Sequence, residues 1–310
     1  MAFFSVIIPL YNKEAYIQQT IDSILNQSFT DFELIIVDDA STDDSLVLAK
    51  KYTSEKIIFI EHAKNKGLAA TRNTGIKQAS SSYITFLDAD DSWKPNFLQT
   101  IHELITGFPE ARIFATNYEE SWKENTRIPH NGAAKLEKNF KGYIDFFSLN
   151  LGQGIYCHGS VCFHKEVYEK IGLYNEHIEF SEDIDLNIRA NFHFKLAYST
   201  KREMRYSMAI SNQITRNSIL NKSIPDYSLY TNWEKHSITF KKYLDFERYV
   251  LAKKLKKSKD HRWKRIAKQI KLKNINWKQR LLLQAPVFVH TILDSLKSLL
   301  LKFGIKATTY

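Results

Sequence analysis

At 310 residues the chain can bury a large core, as one big domain or two smaller ones, and 44% hydrophobic with 25% charged residues places it among soluble globular proteins. No apolar run reaches the roughly 18 residues that a membrane-spanning helix needs. Residues 235–310 hold 20 of the 44 Lys and Arg but only 4 of the 34 Asp and Glu, a local net of +16, which leaves −6 for the rest of a chain whose total is +10.

Phe4 to Leu10 reads as an apolar first strand, with neither the basic start nor the cleavage site of a signal peptide. The loop Tyr11-Asn12-Lys13-Glu14 follows, and Ile17, Ile21, Ile24 and Leu25 give helical spacing over 15–25. Phe32 to Val37 predicts a second strand that ends in Asp38-Asp39-Ala40-Ser41-Thr42-Asp43. Thr42 or Asp43 is placed to cap a helix through Leu46, Leu48 and Ala49. A third strand over 56–60, a turn at Asn65-Lys66-Gly67 and a helix over 68–78 lead to the apolar strand at Tyr83. Strands alternating with helices argue for an α/β chain with a parallel sheet. The strand ends at Asn12, Asp38–Asp39 and Asp88–Asp91 should then share one sheet edge, where open α/β sheets bind their ligands.

Asp88, Asp90 and Asp91 crowd together after the fourth strand, and such a cluster repels itself unless a cation sits among the carboxylates. A divalent ion carrying a diphosphate would meet that need, since Mg²⁺ and Mn²⁺ take one or two carboxylates plus substrate phosphates. A solvated acidic turn is the plainer alternative. The first strand-to-helix turn, Pro9 to Glu14, contains no glycine, so the dinucleotide fingerprint is absent, and GxxxxGK[ST] does not occur. Cys157 and Cys162 fit neither a metal knuckle nor a redox pair and read as reduced residues of a cytosolic protein.

Four motifs in this order resemble family 2 glycosyltransferases: Ser5-Val6-Ile7-Ile8-Pro9-Leu10-Tyr11-Asn12, Ile36-Val37-Asp38-Asp39-Ala40-Ser41-Thr42-Asp43, the stretch Asn65 to Gly75 containing Ala70-Thr71-Arg72-Asn73, and Asp88-Ala89-Asp90-Asp91-Ser92-Trp93-Lys94-Pro95. The resemblance is strong over residues 3–120 and looser to about 215. It implies a GT-A fold, a Rossmann-like sheet continued by a mixed acceptor part. It also implies that Pro9, Tyr11 and Asn12 pack on the nucleoside with Glu14 near the ribose, that Asp39 bonds the base, and that Arg72 lies near base and ribose. A surface ion pair is the other reading of Arg72. Asp88 would hold ribose or a metal-bound water, Asp90 would ligate Mn²⁺ or Mg²⁺ directly, and Asp91 would orient the loop. Trp93 and Pro95 would shape the floor of the sugar pocket, although a Trp after a strand is also an ordinary core residue.

The family carries a Glu-Asp pair downstream with the Asp as base, matched here by Glu182-Asp183 in Phe180-Ser181-Glu182-Asp183-Ile184-Asp185-Leu186. A carboxylate can take the acceptor's hydroxyl proton. Ser181 is placed to cap a helix anchored by Ile184, Leu186 and Ile188, whose dipole would favour ionised Glu182 and Asp183. The sequence departs from the family at Tyr206-Ser207-Met208-Ala209-Ile210-Ser211, where relatives place Tyr-Arg-x-His; Arg205 and Arg216 are candidate substitutes for that contact to the diphosphate.

The chain thus divides into a nucleotide-sugar half (1–120), an acceptor half with the base (121–234) and a basic helical region (235–310). Gln284 to Phe303 shows an apolar stripe at helical spacing, with Pro286 at its start and Gly304 as a stop. Beside the lysines 253, 254, 256 and 257 it suits an anionic membrane surface; packing on the body is the alternative. No nucleic-acid motif accompanies the positive charge. The expected activity is metal-dependent, inverting transfer from a nucleotide-diphosphate sugar, a UDP-sugar first, to a glycan or lipid-linked glycan at the cytoplasmic membrane face. A nucleotidyltransferase, or an adaptor built on a decayed transferase, are the competing readings.

Overall fold

The computed structural model describes residues 2–123, 126–129, 133–208 and 219–302. Chain contacts group residues into two compact units, 1–145 with 155–210 and 146–154 with 211–310. The sequence-drawn boundary at 120 falls inside a strand of the first unit, and the one at 234 falls inside a short 3₁₀ turn, Trp233–Lys235, of the second.

The first unit opens with β1 (Phe4–Leu10), α1 (Ile17–Leu25), β2 (Phe32–Asp38), α2 (Ser45–Ala49), β3 (Ile57–Glu61), α3 (Leu68–Gln78) and β4 (Tyr83–Phe86). It continues through β5 (Ser92–Trp93), α4 (Phe97–Gly107), β6 (Ala111–Lys123), β7 (Thr126–Pro129) and β8 (Lys141–Ile144). The second unit's α5 (Phe146–Leu149) comes next in the chain. β9 (Val161–His164), α6 (Glu166–Ile171), α7 (Glu182–His193) and β10 (Lys195–Ser207) complete the first unit. Its described strands form one sheet in the order β3-β2-β1-β4-β9-β6-β10-β5, with β7 on β6 and β8 on β10.

The first four strands are parallel neighbours, with Phe4 opposite Phe32 and Tyr83. β2, β3 and β4 are each reached through a helix, as parallel pairing requires. All of β1 is buried, which explains its unbroken apolar run. Pro9 is tolerated there because β4 pairs with β1 only up to Ile7, so the missing N–H lies beyond that ladder. Beyond β4 the sheet turns mixed: β9 runs antiparallel to both β4 and β6, and β10 lies parallel to β6.

α3 lies close on β1 because Gly75 faces it without a side chain; a Cβ there would sit 2.5 Å from Ile7 Cγ2. The parallel set puts the ends of β1, β2 and β4 side by side, as the strand order demanded. Both cysteines are free, Cys162 within β9 and Cys157 ahead of it.

In the second unit α8 (Ile238–Lys257) carries the core residues Phe240, Tyr243, Leu244, Tyr249, Leu251 and Leu255. Phe146 and Phe147 of α5 pack edge-on against Tyr243 and Phe240. α9 (Arg262–Gln269), α10 (Trp277–Gln284) and α11 (Val287–Lys302) follow. Lys256 is buried, donates to the Leu283 carbonyl and lies over the Trp263 ring, so it is not a surface charge. Among the described residues no helix is long and apolar enough to cross a membrane. Phe303 and Gly304 lie outside the described residues.

Candidate active site

The acid loop after β4 meets its cations within the chain itself. Arg72, on the buried face of α3, is 2% exposed and reaches two acids: Nη2 lies 2.9 Å from Asp88 Oδ1 and Nη1 2.7 Å from Glu182 Oε1. This is not a surface ion pair; one guanidinium ties α3 to the end of β4 and the start of α7. Burial works against its charge, but Asp88 and Glu182 outweigh that and keep it protonated. Asp90 is paired with Lys13, Nζ to Oδ2 2.7 Å. Asp91 turns inward, is buried, and accepts from Ser207 N at 2.8 Å, so it orients the loop. Burial, together with the charges of Asp90 and Asp88, pushes its carboxyl well up.

The β1 and β2 loops are laced together. Asn12, at φ +50°, accepts from Thr42 N with its side chain, and Asn12 N donates to Ser41 Oγ. Lys13 N donates to Ser45 Oγ, and Glu14 Oε2 accepts from Asp44 N. Asp43 Oδ1 accepts from Ser45 N, but the N-cap of α2 is Asp44, which makes no side-chain cap, so neither Thr42 nor Asp43 occupies the expected position. Tyr11 is 44% exposed and free to stack. Pro9 is buried in β1, opposite Val37, and shapes the strand end without offering a face to a nucleoside. Asp39 is buried and already accepts from Lys66 N and Gly67 N, with His62 Nδ1 2.7 Å from its Oδ1. It fixes the turn before α3. Its neighbour Asp38 keeps a buried Oδ1 that has no partner.

Glu182 and Asp183 open α7, anchored by Leu186 and Ile188 in the core. Ser181 adopts φ +66°, a left-handed conformation costly for a residue with a Cβ, and makes no side-chain cap, contrary to expectation. The helix terminus does not keep the acids readily ionised either. Burial and the Asp183 charge push Glu182 up to about 7 despite Arg72. Burial pushes Asp183 up as well, more than Arg72 lowers it. A partly exposed carboxylate with a raised pKa is a better proton acceptor than an ordinary one. Asp183 Oδ1 accepts from Ile184 N at 2.9 Å.

The donor set suits a hard divalent ion only with help. Among the described residues no group of three or more His, Cys, Asp or Glu is arranged to hold a metal. Asp88 and Asp90 offer carboxylate oxygens on one turn. Burial, followed by Asp88 against the relief from Lys13, pushes the Asp90 carboxyl up, the mark of a group short of positive charge. Two carboxylates plus diphosphate oxygens fit Mg²⁺ or Mn²⁺.

Trp93 is a core residue, stacked on Phe97 with ring centroids 4.2 Å apart, and its Nε1 donates to the Gly159 carbonyl; it does not present a pocket floor. Arg205 is paired with Glu119, and Arg216 lies outside the described residues. Lys13 belongs to the loop Tyr11-Asn12-Lys13-Glu14, just past the first motif, and nothing in that loop's sequence points to Asp90. Asn73, beside Arg72, bonds Tyr174 N and O and so holds the chain leading to α7. Asn73 sits inside the third motif and Lys13 directly follows the first, and that position was the available signal.

A parallel sheet with acid, hydroxyl and amide groups at the ends of three strands, extended by a mixed sheet that brings in a second carboxylate pair, defines a GT-A scaffold. Residues 5–172 match the model of Glycosyl transferase family 2, and the chain belongs to that family. It is 31% identical over 193 residues to the uncharacterized glycosyltransferase EpsJ of Bacillus subtilis, covering 60% of this chain and 55% of EpsJ. It is 33% identical over 190 residues to the minor teichoic acid biosynthesis protein GgaA of the same organism, covering 58% and 41%. Against the solved structure of S. aureus TarS 1–349 in complex with UDP-GlcNAc the TM-score is 0.60 at 18% identity, over 89% of this chain and 78% of that one. The chain spans about half or less of the length of these curated relatives.

Proposed function

We propose that the chain is a metal-dependent, inverting glycosyltransferase that moves a sugar from a nucleotide-diphosphate sugar, a UDP-sugar first, to a hydroxyl of a glycan or lipid-linked glycan in cell-surface polysaccharide assembly. The observation that carries this reading is Arg72, which joins the donor-side Asp88 to Glu182, next to the partly exposed Asp183. The name of GgaA and the UDP-GlcNAc held by TarS support the substrate classes.

Asp183 accepts the acceptor's hydroxyl proton as that oxygen attacks the anomeric carbon. The bond from that carbon to the diphosphate oxygen breaks, and the nucleoside diphosphate departs from the opposite face, which inverts the anomeric centre. A divalent ion at Asp88 and Asp90 would neutralise the charge gathering on the leaving group. Tyr11 gives an exposed ring for the base.

Asp183→Asn should lower turnover by roughly 10²–10⁴ with nucleotide affinity unchanged. Asp90→Ala should abolish Mn²⁺-dependent UDP binding while the melting temperature holds. Near-normal turnover in the first variant removes Asp183 from the reaction, and unchanged calorimetric affinity in the second removes the metal.

Peripheral attachment to an anionic membrane completes the proposal. Phe288, Ile292, Leu296 and Leu299 recur exposed along one face of α11. With Trp277 and Leu281 exposed on α10, they form apolar surface in a strongly basic region, which favours an anionic interface. Ile292→Glu with Leu296→Glu should stop sedimentation with phosphatidylglycerol vesicles. If the variant still sediments, this face is not the attachment surface.

A further inference from the structure

We infer that Lys13 is the chain's own counterion for Asp90, which holds the acid loop before the donor arrives and then hands its ammonium from the carboxylate to the diphosphate. The inference rests on the donor-site reading above and assigns a residue to it.

The Lys13 backbone is fixed while its head is not. Its N–H donates to Ser45 Oγ at 2.6 Å, and Asn12 beside it is locked to Ser41 and Thr42. The side chain then crosses to Asp90, where Nζ meets Oδ2 at 2.7 Å with side-chain exposures of 17% and 13%. Asp90 is also the acid expected to ligate the metal. An ammonium and a divalent ion drawn to one carboxylate repel strongly at such separation in a mostly buried site. One of them has to leave.

Arg72 cannot take the mobile part, because its two arms are held by Asp88 and Glu182. Lys13 can: its head is a point charge on a flexible four-carbon stem. The incoming ion brings with it a diphosphate beside Asp90, and that is the nearest new anion for the displaced ammonium. An ammonium moved to the diphosphate is also a cationic contact there, one that Arg205, engaged with Glu119, does not offer.

The test follows free Mn²⁺ by its electron paramagnetic resonance signal, without nucleotide, and UDP by calorimetry in saturating Mn²⁺. Lys13→Met, which keeps length and removes charge, should bind Mn²⁺ alone about tenfold more tightly and UDP about tenfold more weakly. Lys13→Arg should stay near the wild-type value in both titrations. Lys13→Gln repeats the first experiment should the Met variant not fold. An unchanged Mn²⁺ affinity or an unchanged UDP affinity in the uncharged variants overturns the inference. Failure of the wild-type protein itself to bind UDP with Mn²⁺ would overturn the donor-site reading instead.

Discussion

Each unit contains a buried arginine between two carboxylates, and the two arrangements behave differently. Arg248 of the second unit lies 2.8 Å from Glu234 and 2.9 Å from Asp245, whose side chains are 5% and 0% exposed. Asn274 Nδ2 and Lys271 N complete the shell of Asp245, while Lys271 Nζ adds to Glu234. Burial would raise Glu234, but Arg248 and Lys271 outweigh it and hold the carboxyl below its usual range. In the first unit Arg72 must serve Asp88, Glu182 and the nearby Asp183, and Asp88 remains 30% exposed. There burial pushes Glu182 and Asp183 up. A cluster whose carboxylates are well served fixes a fold, whereas one with under-served acids at a strand end is prepared for a ligand.

The largest test of this contrast removes the arginines. Arg248→Met strips two buried carboxylates of the guanidinium they share and should cost about 3–5 kcal/mol of stability, read by denaturant unfolding. Arg72→Met should cost less, about 1–2 kcal/mol, because water reaches Asp88 and the acids can protonate, yet nucleotide binding should be lost. Equal stability losses would erase the distinction between a closed and an open cluster.

Next in size is a pH effect. Glu182 titrates at about 7 in the folded protein against 4.5 ordinarily. The folded state therefore keeps a proton that the unfolded chain has released. Its contribution to stability is full below about 4.5 and is lost as pH rises through 7, by about 1–3 kcal/mol. Glu182→Gln should flatten that slope in melts between pH 5 and 8; an unaltered slope assigns it to another group. The smallest test is Asn274→Ala, which leaves Asp245 Oδ2 with a weaker shell and should cost about 1–2 kcal/mol. No change on unfolding would mean that the second cluster has water to spare.

The donor-side elements were legible because local pattern decides them. Leu68–Gln78 is a helix in both readings, and the strand ends meet because parallel order forces them to. Pairings across the chain were not legible. Nothing in spacing links Arg72 to Glu182, 110 positions on, or Lys13 to Asp90, 77 positions on. Trp93 looked like a pocket wall because it follows the acids, but an indole that can donate to Gly159 is satisfied inside the core. Lys256 looked like surface charge by type; its ammonium lies over the Trp263 ring and donates to the Leu283 carbonyl, so a cation–π contact and a hydrogen bond replace water.

The hydrogen at Gly75 acts as a length gauge for the proposed donor site. It sets how near α3 comes to β1, and Arg72 rides on the same helix three residues earlier. A methyl group at position 75 would lift the helix from Ile7 and draw the guanidinium away from Asp88 and Glu182 together. Anyone reshaping this glycosyltransferase for a new sugar should leave that spacing alone. Loss of nucleotide affinity from a change at Gly75 would come from a residue that itself touches no charged group of the site.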